Sequence, residues 1–220
     1  MAKLIDPFIG VDHAWMSAPT FPPHPHAGFS AVSYLFLDSE TGIANQDSIG
    51  NHNLIRPGGL HWTTAGRGVV HEEVPAEAGK TVHSLQIFVN LARDQQIIDP
   101  FALSLGPLDV PVVQTPGVKV RVPLGRYEEA RSPLSPPTDV TMLDISLEEG
   151  TALSVPIASG HSAFVMPIFG PVEVNSRRFD RDNLGLPVFE AQAAAHAIVL
   201  RAPQGSAKAV FFSGRPFGRM

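Results

Sequence analysis

Cysteine is absent from the 220 residues of this chain. Its absence excludes disulfide bonds, thiolate metal ligands and a cysteine nucleophile. Charge is also scarce, because Asp, Glu, Lys and Arg make up 17% of the residues and the formal net charge is −5. A mildly acidic chain offers no basic face to phosphates, so we expect no direct binding to nucleic acid.

Long hydrophobic runs are missing too. The stretch AHAIVL (residues 195–200) is short and is flanked by charge and proline, whereas a helix needs roughly 20 apolar residues to span a bilayer. The first residues, MAKLIDPFIG, carry neither the basic region nor the long apolar core of a secretion signal. We therefore expect a soluble cytoplasmic protein that is not inserted in a membrane.

Glycine and proline are abundant instead, with 19 and 21 copies, and they separate short apolar segments. Apolar runs that alternate or are continuous between turn residues predict β-strands. Such runs cover residues 30–37, 81–90, 118–124, 140–147 and 207–212. Short strands that are separated by glycine and proline in this way are typical of small antiparallel barrels.

Two domains fit the length of the chain, since each could bury a core of its own. The polar, proline-rich segment RYEEARSPLSPPTDV (residues 126–140) predicts a linker outside both barrels. The pattern of FSAVSYLFLDSETGIAN, from Phe29, resembles that of HSAFVMPIFGPVEVN, from His161, which supports duplication. We predict one domain over residues 1–128 and a second over residues 129–220.

The patterns His-Pro-His and His-x-Glu stand out as candidate metal-binding pairs. Residues two apart on a strand point to the same face, so each pair can reach one ion from its own strand. Imidazole and carboxylate suit iron, manganese, nickel, copper or zinc, and four such ligands on a six-coordinate ion leave two positions open for substrate or dioxygen. The predicted ligands are His24, His26, His71 and Glu73.

The other histidines of the first half have an ordinary structural interpretation, because a single histidine is commonly a hydrogen-bonded framework residue. This applies to His13, His52 and His83. His61 is the exception, since His61 and Trp62 are neighbours on one predicted strand and one of the two should face the cavity.

In the second half, His161 and His196 have no carboxylate at strand spacing. We therefore expect the second barrel to be structural and to hold no metal.

Three runs closely resemble the pirin family of bicupins: FPPHPHAGF (21–29), DSIGNHNLIRPGGLHWTTAGRGVVHEEVP (47–75) and VHSLQIFVN (82–90). A looser second-cupin pattern, GTALSVPIASGHSAF, covers residues 150–164. The resemblance implies an all-β bicupin with two antiparallel jelly-roll β-barrels, of which the first binds metal. It implies one divalent ion at the four predicted ligands, with iron(II) favoured and Mn, Ni, Cu, Co or Zn as alternatives.

The chain departs from the family pattern at several positions. It reads HPHAGFSA where the family reads HPHRGFET, so Ala27 and Ser30 replace an arginine and a glutamate. Glu72 stands where relatives have a small residue, and we expect it to be a surface charge on the opposite face of its strand. His61 stands where relatives tend to carry glutamine, and relatives often continue for longer than the final SGRPFGRM.

The resemblance also implies a function, namely a dioxygenase that opens flavonols such as quercetin with O2 and releases carbon monoxide. Glu73 would be both a ligand and the acceptor of the flavonol proton. Barrel strands alternate inward and outward side chains, so the apolar residues near the ligands should include the lining of an aromatic-binding cavity. These residues are Phe29, Tyr34, Trp62, Leu85, Ile87 and Phe88.

Two other functions stay open at this point. The chain could be a regulator whose redox-active metal alters a surface that a protein partner recognises. It could also be a metal-stabilised structural cupin without turnover, since Ala27 and Ser30 depart from the family pattern.

Overall fold

The computed structural model describes residues 4–180 and 185–218, and its regular elements are β-strands. The prediction of an all-β chain is confirmed, and each of the five predicted strand segments coincides with an observed strand. The strands are β1 (Phe8–Met16), β2 (His24–His26), β3 (Phe29–Leu35), β4 (Ile43–Asp47), β5 (His52–Ile55), β6 (Leu60–Thr64), β7 (Val69–Pro75), β8 (Val82–Asn90), β9 (Phe101–Leu105), β10 (Val112–Thr115), β11 (Val118–Leu124), β12 (Arg126–Tyr127), β13 (Ala130–Arg131), β14 (Val140–Leu147), β15 (Ala152–Ile157), β16 (Ser162–Phe169), β17 (Val172–Val174), β18 (Arg177–Phe179), β19 (Val188–Phe189), β20 (His196–Arg201) and β21 (Ala207–Gly214).

The chain folds as two compact units. The first unit is Phe8–Val110 with Pro133–Thr138, and the second contains the described residues of Met1–Pro7, Pro111–Ser132 and Asp139–Met220. The division between Val110 and Pro111 lies upstream of the predicted boundary after residue 128. The physical reason is that β10 pairs with β11, and β11 pairs with β14 of the second unit.

We predicted that the segment over residues 126–140 is a linker outside both units. Instead, the segment is shared between the two units. Its first part forms the small β12–β13 hairpin of the second unit. Residues 133–138 belong to the first unit, where the Thr138 hydroxyl donates a hydrogen bond to the Asn90 carbonyl at 2.6 Å. Backbone polar groups of buried segments need such partners.

The first unit consists of two antiparallel sheets. The five-stranded sheet has the order β1-β8-β3-β6-β9, and the four-stranded sheet has the order β2-β7-β4-β5. The Ser33 hydroxyl of β3 donates a hydrogen bond to the Glu73 carboxylate of β7 at 2.7 Å. The face of the five-stranded sheet that carries Ser33 therefore packs opposite the face of the four-stranded sheet that carries Glu73. The space between the sheets is therefore the interior of the first unit.

The second unit repeats this plan with a six-stranded sheet, β10-β11-β14-β21-β16-β19, and a four-stranded sheet, β15-β20-β17-β18. Its core is apolar and includes Val120, Leu143, Ile145, Val165, Ile198, Leu200 and Phe211. Within residues 4–180 and 185–218, no helix has the length and apolar character needed to cross a membrane.

Candidate metal centre

Three histidines converge in the interior of the first unit. Strand β2 pairs with β7 so that His24 lies opposite His71, and His26 shares a face with His24 because it is two residues further on. The Nε2 atom of His71 lies 2.9 Å from Nε2 of His26 and 3.2 Å from Nε2 of His24. These three potential ligand atoms lie within 4.8 Å of one another.

The orientation of His24 is set by the chain that precedes it. Its Nδ1 lies 3.0 Å from the Pro22 carbonyl oxygen, which can only accept, so we assign the proton to Nδ1. In a neutral ring this leaves the lone pair on Nε2, which points towards His71. A hydrogen bond of this kind orients a metal-binding histidine and selects its tautomer.

Burial keeps the central imidazole neutral. The pKa of His71 is lowered to about 4, mainly by burial and also by the charges of His26, His24 and His61, while Asp47 opposes the shift. Burial, followed by the charge of His24, also lowers the pKa of His26. Neutral imidazole is the form that binds a metal ion.

The donor set fits a divalent cation. Within the described ranges, Nδ1 of His71 is buried without a hydrogen-bond partner, and His71 Nε2 approaches two other ring nitrogens although it has one hydrogen or one lone pair to offer. Two nitrogens bound to one ion at about 2.0–2.1 Å lie roughly 3 Å apart when they are adjacent in its coordination sphere. A cation would therefore use all three Nε2 lone pairs at the observed spacing.

Glu73, the fourth predicted ligand, lies beside this group without being part of it in the described structure. It shares a face of β7 with His71, but its carboxylate accepts a hydrogen bond from Ser33. Although the residue keeps some surface exposure, protein atoms surround its carboxylate. That burial raises the Glu73 pKa, while the Ser33 hydrogen bond and His24 oppose the shift.

Two rows of polar side chains face each other next to the histidines, and the sequence interpretation missed most of them. Strand pairing aligns Gln86, Ser33, His61 and Ser104 across the five-stranded sheet, and we call these four residues the polar row. On the four-stranded sheet, pairing aligns Glu73, Asn45 and Asn53. The signal that could have found them is a polar residue at the inward position of an otherwise apolar strand.

His61 lies between the two sheets and contacts residues of both. Of the two residues that we considered, His61 and Trp62, it is therefore His61 that faces the cavity. Its Nδ1 lies 2.8 Å from the Ser104 hydroxyl, and its Nε2 lies 3.4 Å from the Asn45 amide nitrogen. Burial lowers the pKa of His61, and Asp47 opposes the shift. Trp62 points to the other face of β6 and is fully buried there.

Only part of the predicted aromatic lining reaches the site. The rings of Phe29 and Phe88 lie 5.3 and 5.8 Å from the His26 ring. The other four predicted lining residues occupy the opposite face of the same sheet by alternation and are packed there as core. They are Tyr34, Trp62, Leu85 and Ile87.

The positions that depart from the family pattern do not crowd the histidines. Ala27 is exposed, and Ser30 lies on the face of β3 opposite to Ser33. Glu72 points to the outer face of β7, as predicted, where it is half-buried beside a hollow of about 330 Å³ that His52 also lines. His161 and His196 belong to the second unit.

Two double-sheet antiparallel units, the first with converging histidines and the second with an apolar core, define the bicupin class. Residues 3–89 match the family model for pirin. The chain is 33% identical over 202 residues to pirin-like protein At1g50590 of Arabidopsis thaliana, covering 90% of this chain and 62% of that protein. These findings show a pirin-family region at residues 3–89 in a chain that is similar to pirin-like proteins, and the predicted bicupin fold class is confirmed.

Solved structures agree with this assignment. A quercetin 2,3-dioxygenase from Acinetobacter baumannii superposes with a TM-score of 0.83 at 26% identity, covering 98% of this chain and 71% of that one. The bacterial pirin YhhW of Escherichia coli, solved in complex with nickel(II), has the same fold, with a TM-score of 0.72 at 18% identity over 94% of this chain and 81% of that one. The chain spans 49–62% of the length of the first three curated relatives it matches.

Proposed function

We propose that this chain is a metal-dependent dioxygenase that cleaves flavonols such as quercetin with O2. The observation that carries the proposal is the convergence of three imidazoles beside a buried carboxylate. His24, His26 and His71 would hold one divalent ion, with Glu73 as a further ligand. The nickel(II) complex of YhhW and the activity named for the A. baumannii protein support a metal centre and this substrate class.

The metal identity is part of the proposal. Nitrogen and oxygen ligands without thiolate suit iron(II) and also manganese, nickel, copper, cobalt or zinc. A bound divalent ion supplies Lewis acidity, and in the redox-active cases it also supplies one-electron chemistry with dioxygen. Family resemblance favours iron(II).

Glu73 is the group that accepts the substrate proton in the proposed reaction. Its raised pKa makes it a better acceptor for the acidic hydroxyl of a flavonol than an ordinary carboxylate. Ser33 holds the carboxylate through its 2.7 Å hydrogen bond, which orients it away from the bulk solvent. Glu73 therefore accepts the proton inside the unit, and the substrate remains as its anion.

Substrate binding is assigned to the aromatic and polar groups around the histidines. Phe29 and Phe88 form an edge-to-face pair, with ring centroids 5.5 Å apart, next to His26. Such edges and faces accommodate a planar aromatic ring. Polar-row residues such as His61 offer hydrogen bonds to the hydroxyl groups of a flavonol.

The test measures O2 consumption and loss of quercetin absorbance after metal-free protein has been loaded separately with iron, manganese, nickel, copper, cobalt or zinc. We expect turnover with at least one redox-active metal and none with His71→Ala, which removes the central ligand. Glu73→Gln should abolish turnover while some metal remains bound. Glu72→Gln is the matched control, because it changes the neighbouring carboxylate on the outer face.

Stoichiometric metal binding that His71→Ala loses, combined with no turnover for any metal, would contradict the dioxygenase. That result would favour the metal-sensing regulator and direct the search to protein partners. Unchanged turnover in Glu73→Gln would reject the role of this carboxylate as proton acceptor.

A further inference from the structure

A second pair of histidines lies on the other face of the five-stranded sheet. On β8, Gln86 faces the interior because Ser33 contacts it, so His83, three residues earlier, points the opposite way. His13 of β1 pairs with Leu85 and shares the face of His83. The two ring Nε2 atoms are 2.7 Å apart.

Asp38 fixes the orientation of His83. Its Oδ1 atom lies 2.7 Å from Nδ1 of His83, and because a carboxylate accepts, the proton of a neutral ring is on Nδ1. The lone pair of His83 Nε2 then points at His13. A carboxylate behind a histidine is the arrangement that orients metal-binding imidazoles and raises their basicity.

Aromatic packing holds the His83 ring in place. Trp15 stacks on it with centroids 4.7 Å apart and planes within 8°, and Phe36 packs with its centroid 4.4 Å away. The His83 residue is 6% exposed, whereas Trp15 is 50% exposed. The pair therefore combines a rigid, buried His83 ring with a half-buried His13 next to an exposed tryptophan.

We propose that His13 and His83 form a second site for a divalent transition ion, with Asp38 as a positioning residue. The close approach of Nε2 atoms at the candidate metal centre, 2.9 and 3.2 Å, recurs here in a separate place. Imidazoles select copper(II), nickel(II) or zinc(II), with water in the remaining positions. Adjacent ligands on one ion lie roughly 3 Å apart, so half-buried His13 has to move by a few tenths of an ångström.

Nickel(II) is the ion used in the test, and the full chain carries His24→Ala and His71→Ala to remove the first site. Equilibrium dialysis should show about one bound nickel ion. Paramagnetic nickel should also quench the emission of Trp15, one of two tryptophans in the chain, whereas zinc should compete without quenching. Trp15→Phe should remove most of the quenching and leave the binding.

His13→Ala in this background should abolish both nickel uptake and quenching. Asp38→Asn should weaken binding about 10- to 100-fold, as expected for a group behind a ligand. Its matched control is Asp12→Asn, an exposed carboxylate beside His13 on the other face of β1. Nickel uptake that is absent, or that is equal with and without His13, would overturn the proposal and leave the pair as a structural hydrogen bond.

Discussion

The two units share a double-sheet plan and fill it in opposite ways. In the first unit, strand pairing places Gln86, Ser33 and His61 side by side on an inner face. In the second unit, pairing places Leu143 and Phe211 side by side within a continuous apolar core. One architecture therefore serves either stability or binding, and the choice is made by the residues at the inward positions of the strands.

The difference has an energetic basis. Full burial of a large apolar side chain contributes about 1.5–3 kcal/mol. A buried polar group costs about 1–3 kcal/mol if it lacks a partner, and its hydrogen bond returns only about 0.5–1.5 kcal/mol net. The second unit thus keeps the stabilising core, while the first gives up part of it to hold His61, Asn45 and His71, which are 2–4% exposed.

Phe211→Ala tests the apolar core of the second unit and should have the largest effect on stability. The side chain is 1% exposed in the apolar core, so its loss should lower the free energy of unfolding by about 3–5 kcal/mol. Urea unfolding of metal-free protein measures this, and metal content at low temperature should not change. A loss below about 1 kcal/mol would mean that the second unit does not supply the stability assigned to it.

His61→Gln tests the polar interior of the first unit through the pH dependence of its stability. Because burial lowers the pKa of folded His61, the unfolded chain takes up a proton first as the pH falls below about 6.5. Stability due to the neutral ring is therefore present above that pH and is lost below it, by at most about 1.4 kcal/mol per pH unit.

Glutamine does not titrate, so the variant should lose less stability than the original chain between pH 7.5 and 5.5. Urea unfolding of both metal-free proteins at the two pH values gives the difference. His26 and His71 are present in both proteins, so their contributions cancel except for the coupling between His61 and His71. Equal losses would show that the pKa of His61 is the same in the folded and the unfolded protein, so that burial of the neutral ring does not contribute to stability.

The convergence of the three histidines could be predicted from the sequence because it depends on strand alternation, a local property of His-Pro-His and of the segment around His71. The hydrogen bond between Glu73 and Ser33 could not, because it requires the register of two sheets to be known. The division between the two units could not be derived from the sequence for the same reason: β11 pairs with β14, and no local signal reports that long-range pairing. Alternation also predicts that some aromatic residues point inward and others outward, but it does not identify which residues point inward.

The smallest effect concerns two serines on opposite faces of β3. Ser33→Ala removes the hydrogen bond to Glu73 and should cost about 0.5–1.5 kcal/mol. The Ser30 hydroxyl is buried without a hydrogen-bond partner among the described residues, so Ser30→Ala should be neutral or stabilising by up to about 1 kcal/mol. Thermal and urea unfolding of the two variants should give opposite signs, because the same atom is deleted from one strand but only one of the two faces the polar interior. Equal destabilisation would mean that Ser30 also has a polar partner, and that the contrast between the two faces of this sheet is weaker than the hydrogen bonds indicate.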